Sequence, residues 1–349
     1  MKKSQEHTLR QKAGSLDSLF GIKDYTFNDG PARGMRALDL DNGRHIRMTV
    51  LADRGLDIPS LSYQGKNIAF QSKTGLRSPF LYQEEGARGF LKQFYAGLLT
   101  TCGLTYAGAA AVDKGQPLGL HGPFSNTPAQ NVTARTVYEG DEAVLEITGQ
   151  VREAQVFEEN LILTRVLRLR TESDTLEILD TVENQGFAPT PLMLVYHVNF
   201  GYPLLDEGAR VYTTAGEVSP RDEIAKSGFE NQALIEAPGI QRPEECFFHT
   251  HHPGKEAFAM LHNPQLGMAA VLHFDATALP LLCQWKCMRA GDYALGLEPT
   301  TSGVMGRPAA RDDGSLVLLE GGESRQFTMK LSLTDDSQAI QEYISRTTK

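Results

Sequence analysis

The chain has 349 residues, 41% hydrophobic and 22% charged, a composition that excludes disordered, collagen-like and coiled-coil organisation. Its formal charge is −9, from 34 basic and 43 acidic side chains. That balance speaks against nucleic acid or an anionic membrane as partner, because phosphate recognition needs a concentrated basic footprint.

Met1-Lys2-Lys3 carries the charge of a signal-peptide start, but no apolar segment follows. No stretch reaches the roughly 20 apolar residues that span a bilayer. Four cysteines (Cys102, Cys246, Cys283, Cys287) are too few and too irregularly spaced for a disulfide framework or a paired zinc site. A cytoplasmic protein with reduced thiols is expected. Residues 1–22 read as a polar N-terminal extension and 23–349 as a single domain.

Helical periodicity is confined to Thr8–Phe20 and Ser337–Ser345, with a weaker candidate at Gly89–Leu98. Between them, 33 glycines and 17 prolines punctuate short apolar runs with period-2 alternation. Leu161–Arg170 is the clearest, with leucines on one face and Thr164, Arg168 and Arg170 on the other. Further strands are expected at 143–148, 176–182, 192–200, 257–262, 268–274, 279–286, 293–298, 316–320 and 327–333. Strands without interleaved helices predict a large antiparallel β-sandwich.

The Rossmann, P-loop, serine-elbow and zincin signatures are all missing. Three segments carry chemistry instead. His121 sits between glycines and a proline in Leu118–Pro128, where a turn leaves an imidazole reachable or merely polar. In Met193–Pro203, alternation puts Val195, His197 and Asn199 on one face of an apolar strand, so the two polar side chains need partners. Glu298 ends the apolar run Tyr293–Glu298 and shares its face with Ala294 and Gly296, which leave space beside it. Partial burial would raise its pKa toward that of a general base at neutral pH; exposure at a strand end is the plainer reading.

The order HGPFSN, YHVNFGYPL, LGLEPTT resembles the aldose 1-epimerase (galactose mutarotase-like) superfamily, in particular its uncharacterised bacterial aldose-epimerase-like branch. Val50–Ile58 stands in the place of that branch's early strand pair, and the resemblance runs from about residue 30 to 335. It implies a β-sandwich that binds a small-molecule sugar and interconverts its anomers without metal or organic cofactor. By the same resemblance Glu298 is the general base, His197 the general acid and His121 a second imidazole near the reacting centre.

The family's Asn-Arg pair upstream of the first histidine is replaced here by Leu99–Gly108. Arg54, Arg77 or Arg88 is then a candidate for its role, each with a structural alternative. Asn126, Asn199 and Asp206 are candidate contacts to sugar hydroxyls. Trp285 offers a stacking face or a core side chain; in the latter case Gln284 and Lys286 face the cleft. His249, His251 and His252, with Glu244 and Glu245 nearby, form a rival cluster in what reads as an exposed loop between prolines. A non-catalytic carbohydrate-binding protein and another sugar isomerase or epimerase, with or without a metal held by the histidine cluster, are the competing functions, and the oligomeric state is not encoded legibly.

Overall fold

The computed structural model describes residues 5–254 and 256–347. Alternating side chains give each strand one apolar face, and two sheets bury those faces against each other. The smaller sheet has eight strands, in the order Gln130–Glu139, Glu142–Ala154, Asn160–Arg170, Thr175–Asn184, Ser324–Thr334, Met268–Asp275, Glu256–Asn263, Arg210–Thr213. The larger has eleven. Its path runs Gly21–Thr26, Arg36–Asp41, Ile46–Leu51, Asp57–Tyr63, Leu99–Cys102, Val195–Phe200, Asp292–Thr300, Leu281–Arg289, Glu245–Thr250, Glu217–Pro220, with Lys66–Asn67 beside the fourth. Neighbours in both sheets pair antiparallel, as the strand periodicity predicts.

One continuous core fills the gap, with Leu145, Leu163 and Leu167 from the smaller sheet meeting Ile58, Tyr196, Val198 and Leu297 from the larger. Arg165 falls on this inner face and is fully buried. Its guanidinium holds Asp180 at 2.7 Å and Asp57 at 3.3 Å, and the Tyr196 hydroxyl donates to Asp180 at 2.8 Å. A charged cluster thus ties the two sheets together directly beneath the strand that carries His197.

Three sequence expectations change. Thr8–Phe20 is a helix only over Gln5–Lys12; Gly14 and Ser15 interrupt it, and the Ser15 hydroxyl accepts from Asp17 N to start a separate 3-10 turn at Leu16–Ser18. Leu16 and Phe20, inside the expected extension, pack into the core. The weaker helix is displaced to Ala87–Gln93, because the chain turns at Phe94 into a strand at Ala96–Gly97. The C-terminal helix runs Ser337–Thr347 and buries Ile340 against Phe258 and Val271. Among the described residues no helix is long and apolar enough to cross a membrane.

Candidate active site

The outer face of the larger sheet is where the apolar alternation breaks. Along Asp292–Thr300, Leu295 and Leu297 enter the core, and Ala294, Gly296 and Glu298 point the other way. Two strands flank Glu298. Cys283 is its register partner on one side. On the other, pairing of Val195 with Thr300 and Val198 with Leu297 sets His197 opposite it. His197 Nε2 lies 3.2 Å from Glu298 Oε1. Gly296 leaves room for this arrangement, since a Cβ there would overlap Glu298 Oε1 and crowd the Trp285 Cβ.

His121 arrives from a loop. Its backbone is left-handed, at φ 61°, and is fixed by His121 N donating to Gly108 O at 2.8 Å and Gly103 N donating to His121 O at 3.2 Å. Gly122 follows at φ 70°, where a side chain would overlap Tyr106 O. The turn read from the sequence is therefore a built support, which brings the His121 ring to 5.7 Å from His197 and 4.9 Å from Phe90.

These groups line a cavity of about 810 Å³ with Trp285, Phe94, Arg221, Asp222, Glu244 and Met305. The Trp285 ring lies 5.5 Å from that of His197, and its Nε1 donates to Glu244 at 2.8 Å. Trp285 is thus a cavity wall. Gln284 and Lys286 take the inner face of the same strand, correcting their assignment to the cleft. Gln284 bonds His249 and Gln232 O, while Lys286 bonds Asn231 O and pairs with Glu236 at 2.7 Å.

Glu298 is only 2% exposed and lies within its strand, which continues to Thr300; the strand-end reading is corrected. Burial pushes its carboxyl well above the usual range, helped by Cys246 and Glu244 and opposed by Arg221 and a hydrogen bond from Cys283. Burial pulls His197 down to about 3, with His121 adding to the fall and Asn199 opposing it. Burial alone lowers His121 to about 4. Burial thus favours the uncharged form of both Glu298 and His197.

Both imidazoles bind protons more weakly folded than unfolded. The stability they contribute is complete above pH 6.5 and is lost as pH falls toward about 4 and 3. Thermal melts between pH 7 and 4 are expected to show a falling Tm, and His121→Asn to flatten that slope. Parallel slopes in the two proteins would contradict the assignment.

Several sequence candidates do not reach the cavity. Arg54 is 1% exposed and donates to the backbone oxygens of Ser125, Arg77 and Gln93 over the Tyr95 ring, so it is a structural clamp. Arg77, Asn126, Asn199 and Asp206 lie outside the lining. Asn199 is fully buried and donates to His197 O, and Asp206 accepts from Glu207 N. Arg88 is exposed beside Glu85. The expected histidine loop is the strand Glu245–Thr250 and its continuation, with His249 and His251 buried. His249 turns to Gln284 and His251 to Thr213, and among the described residues no three His, Cys, Asp or Glu side chains gather as a metal would require.

Sequence reasoning missed Arg221 and Asp222 altogether. They follow the strand Glu217–Pro220, where Asp222 caps the helix Glu223–Ser227 by accepting from Ala225 N. A Pro-Arg-Asp turn carries no periodic signal, so only the fold brings it to Glu298.

No curated protein matches the sequence. Solved structures do. A candidate aldose 1-epimerase from Klebsiella pneumoniae subsp. pneumoniae superposes with TM-score 0.89 at 25% identity, over 96% of this chain and 91% of that one. A galactose mutarotase-like protein from Clostridium acetobutylicum gives TM-score 0.63 at 16% identity, over 91% and 99%. Galactose 1-epimerase from Lactobacillus acidophilus gives 0.58 at 14%, over 90% and 99%. The architecture is the galactose mutarotase-like fold. The model of the domain of unknown function DUF4432 matches residues 32–333, and the chain belongs to that family.

Proposed function

We propose that the protein is an aldose 1-epimerase-like enzyme that interconverts the anomers of a neutral reducing sugar. The observation that carries this reading is the 3.2 Å approach of His197 Nε2 to Glu298 Oε1 on the floor of a cavity walled by Trp285. Opening a sugar ring requires one group to take the anomeric hydroxyl proton while another gives a proton to the ring oxygen. One carboxyl and one imidazole at this distance, with one proton between the two groups' titrations, meet that need with no other reactant.

Burial favours the uncharged carboxyl and imidazole, so in this reading the proton starts on Glu298. A sugar hydroxyl donating to the carboxylate, and a ring oxygen accepting from the imidazolium, favour the proton's transfer to His197. Glu298 then takes the anomeric proton, His197 protonates the ring oxygen, and the bond between the anomeric carbon and ring oxygen breaks to give an open-chain aldehyde. Rotation and the reverse transfers close the other anomer and restore the pair. His121 flanks the reacting centre as a neutral imidazole.

The charges in the cavity favour a neutral sugar. Arg221 is already engaged by Asp222 at 2.9 Å and Glu244 at 3.2 Å, Lys73 by Asp292 at 2.8 Å, and the third cation of the lining, Arg289, donates to Arg242 O at 2.9 Å. The sugar's apolar face is assigned to Trp285. Trp285→Ala is expected to weaken binding about three- to tenfold, the worth of one stacking contact, as measured by calorimetry. A change below twofold would remove Trp285 from the binding surface. The four free thiols accord with a reducing, cytoplasmic setting.

Polarimetry tests the reading as a whole. Freshly dissolved α-anomers of neutral aldoses are expected to equilibrate faster in proportion to protein concentration. A sugar that raises Tm but equilibrates at the buffer rate would point to carbohydrate binding without turnover.

A further inference from the structure

The cavity is longer than one sugar ring needs. On the outer face of Leu281–Arg289, the alternate residues Cys283, Trp285, Cys287 and Arg289 all line it. Cys283 is the register partner of Glu298 and Arg289 that of Asp292, and both carboxylates belong to the lining. Glu298 and Asp292 are six positions apart on one strand, so the lined run is roughly 20 Å long at the ordinary rise of a strand. Outward side chains recur about every 7 Å along it, close to the reach of one pyranose. A single ring beside Trp285 extends from Glu298 to about Cys287 and no further. The volume agrees, since about 810 Å³ lies in the upper part of the roughly 300–1,000 Å³ of sites that take drug-sized ligands, larger than a monosaccharide.

The far end is built as firmly as the near one. Lys73 Nζ pairs with Asp292 at 2.8 Å, and Arg289 commits its Nε–H to Arg242 O at 2.9 Å. Ser72 Oγ donates to Phe94 O at 2.6 Å and Thr74 Oγ1 to the same oxygen at 3.2 Å, while the Phe94 ring lies 5.1 Å from that of His197. The segment carrying Lys73 is thus fastened to the wall over the reacting pair. Exposure gives the run a direction, because Glu298 is 2% exposed whereas the Lys73 and Asp292 side chains are 71% and 25% exposed. A reducing end belongs at the covered end, and a non-reducing end at the wet one.

We propose that the substrate is a neutral reducing disaccharide, whose reducing ring lies between Trp285 and the Glu298–His197 pair and whose second ring is held by Lys73, Asp292 and Arg289. The assignment of the reducing end rests on the function proposed above. A sugar hydroxyl both donates and accepts, so it suits an ion pair: the ammonium and guanidinium donate to its oxygen, and the carboxylate accepts its proton. An anionic substituent would meet Asp292 together with the two cations, and a neutral ring carries no such conflict.

Calorimetry tests the second subsite without relying on turnover. Maltose, cellobiose and lactose are compared with glucose, galactobiose with galactose, and mannobiose with mannose. At least one disaccharide is expected to bind about tenfold or more tightly than the monosaccharide that forms its reducing ring. Arg289→Ala and Lys73→Ala are each expected to cut that preference about three- to tenfold, the worth of one hydrogen bond. Disaccharides that all bind no more tightly than their monosaccharides overturn the subsite, as does a preference that neither variant lowers. Glucose 6-phosphate binding more tightly than every disaccharide overturns a neutral ring as the occupant. Anomer exchange of the same sugars, followed by NMR, is read separately. Exchange of monosaccharides without disaccharide preference is failure of the subsite alone, disaccharide preference without exchange is failure of the epimerase reading alone, and no binding by any of the sugars overturns both.

Discussion

Glu298→Gln is expected to lower the rate of anomer exchange by about 10²–10⁴-fold, the usual contribution of a positioned acid–base group. Sugar affinity should change by no more than a few fold. Glutamine keeps the volume and hydrogen-bonding edge beside Gly296 but neither releases nor takes a proton at this site. Burial already drives the Glu298 carboxyl toward its neutral form, so a neutral amide adds little desolvation cost, and Tm should hold or rise. The loss should fall mainly on kcat, because the group acts on the proton in flight. Retained exchange with retained binding would remove Glu298 from the mechanism.

The second large effect concerns stability. Arg165→Met should destabilise the fold by about 3–5 kcal/mol, because it leaves Asp180 and Asp57 buried without their shared cation. Asp180 also accepts from the Tyr196 hydroxyl, so the strand carrying His197 should loosen with the cluster. Adding Asp180→Asn to Arg165→Met should recover part of the loss, since the amide removes one uncompensated charge. Denaturant unfolding of the two single variants and the double variant measures the coupling. Strictly additive losses would show that the cluster does not act as a unit.

How much of this is legible in the sequence depends on burial. Asn160–Arg170 and Thr175–Asn184 alternate between a core face and a half-exposed face, so polarity reports their orientation and the sandwich follows. His197 and Glu298 announce themselves as polar groups on apolar strands. Leu281–Arg289 is different, because both of its faces are largely covered. Alternation there separates Trp285 from Gln284 and Lys286 without saying which set meets the cavity. The deciding partner of Lys286 is Glu236, 50 residues earlier in the chain. Arg54 misleads for a related reason: its guanidinium is spent on backbone oxygens supplied by Arg77, Gln93 and Ser125, contacts no local pattern records. The Arg221–Cys246 contact is equally nonlocal, its partners 25 residues apart and joined only when the strands Glu217–Pro220 and Glu245–Thr250 pair.

Exchange spectroscopy on the anomeric protons of a neutral aldose at equilibrium, with wild-type protein and Glu298→Gln side by side, tests the central claim most directly. Wild-type protein is predicted to raise the anomer exchange rate in proportion to its concentration, and Glu298→Gln to leave it near the buffer value while still binding the sugar. Equal exchange with the two proteins, or no acceleration by wild type for any sugar it binds, would contradict an acid–base pair of Glu298 and His197.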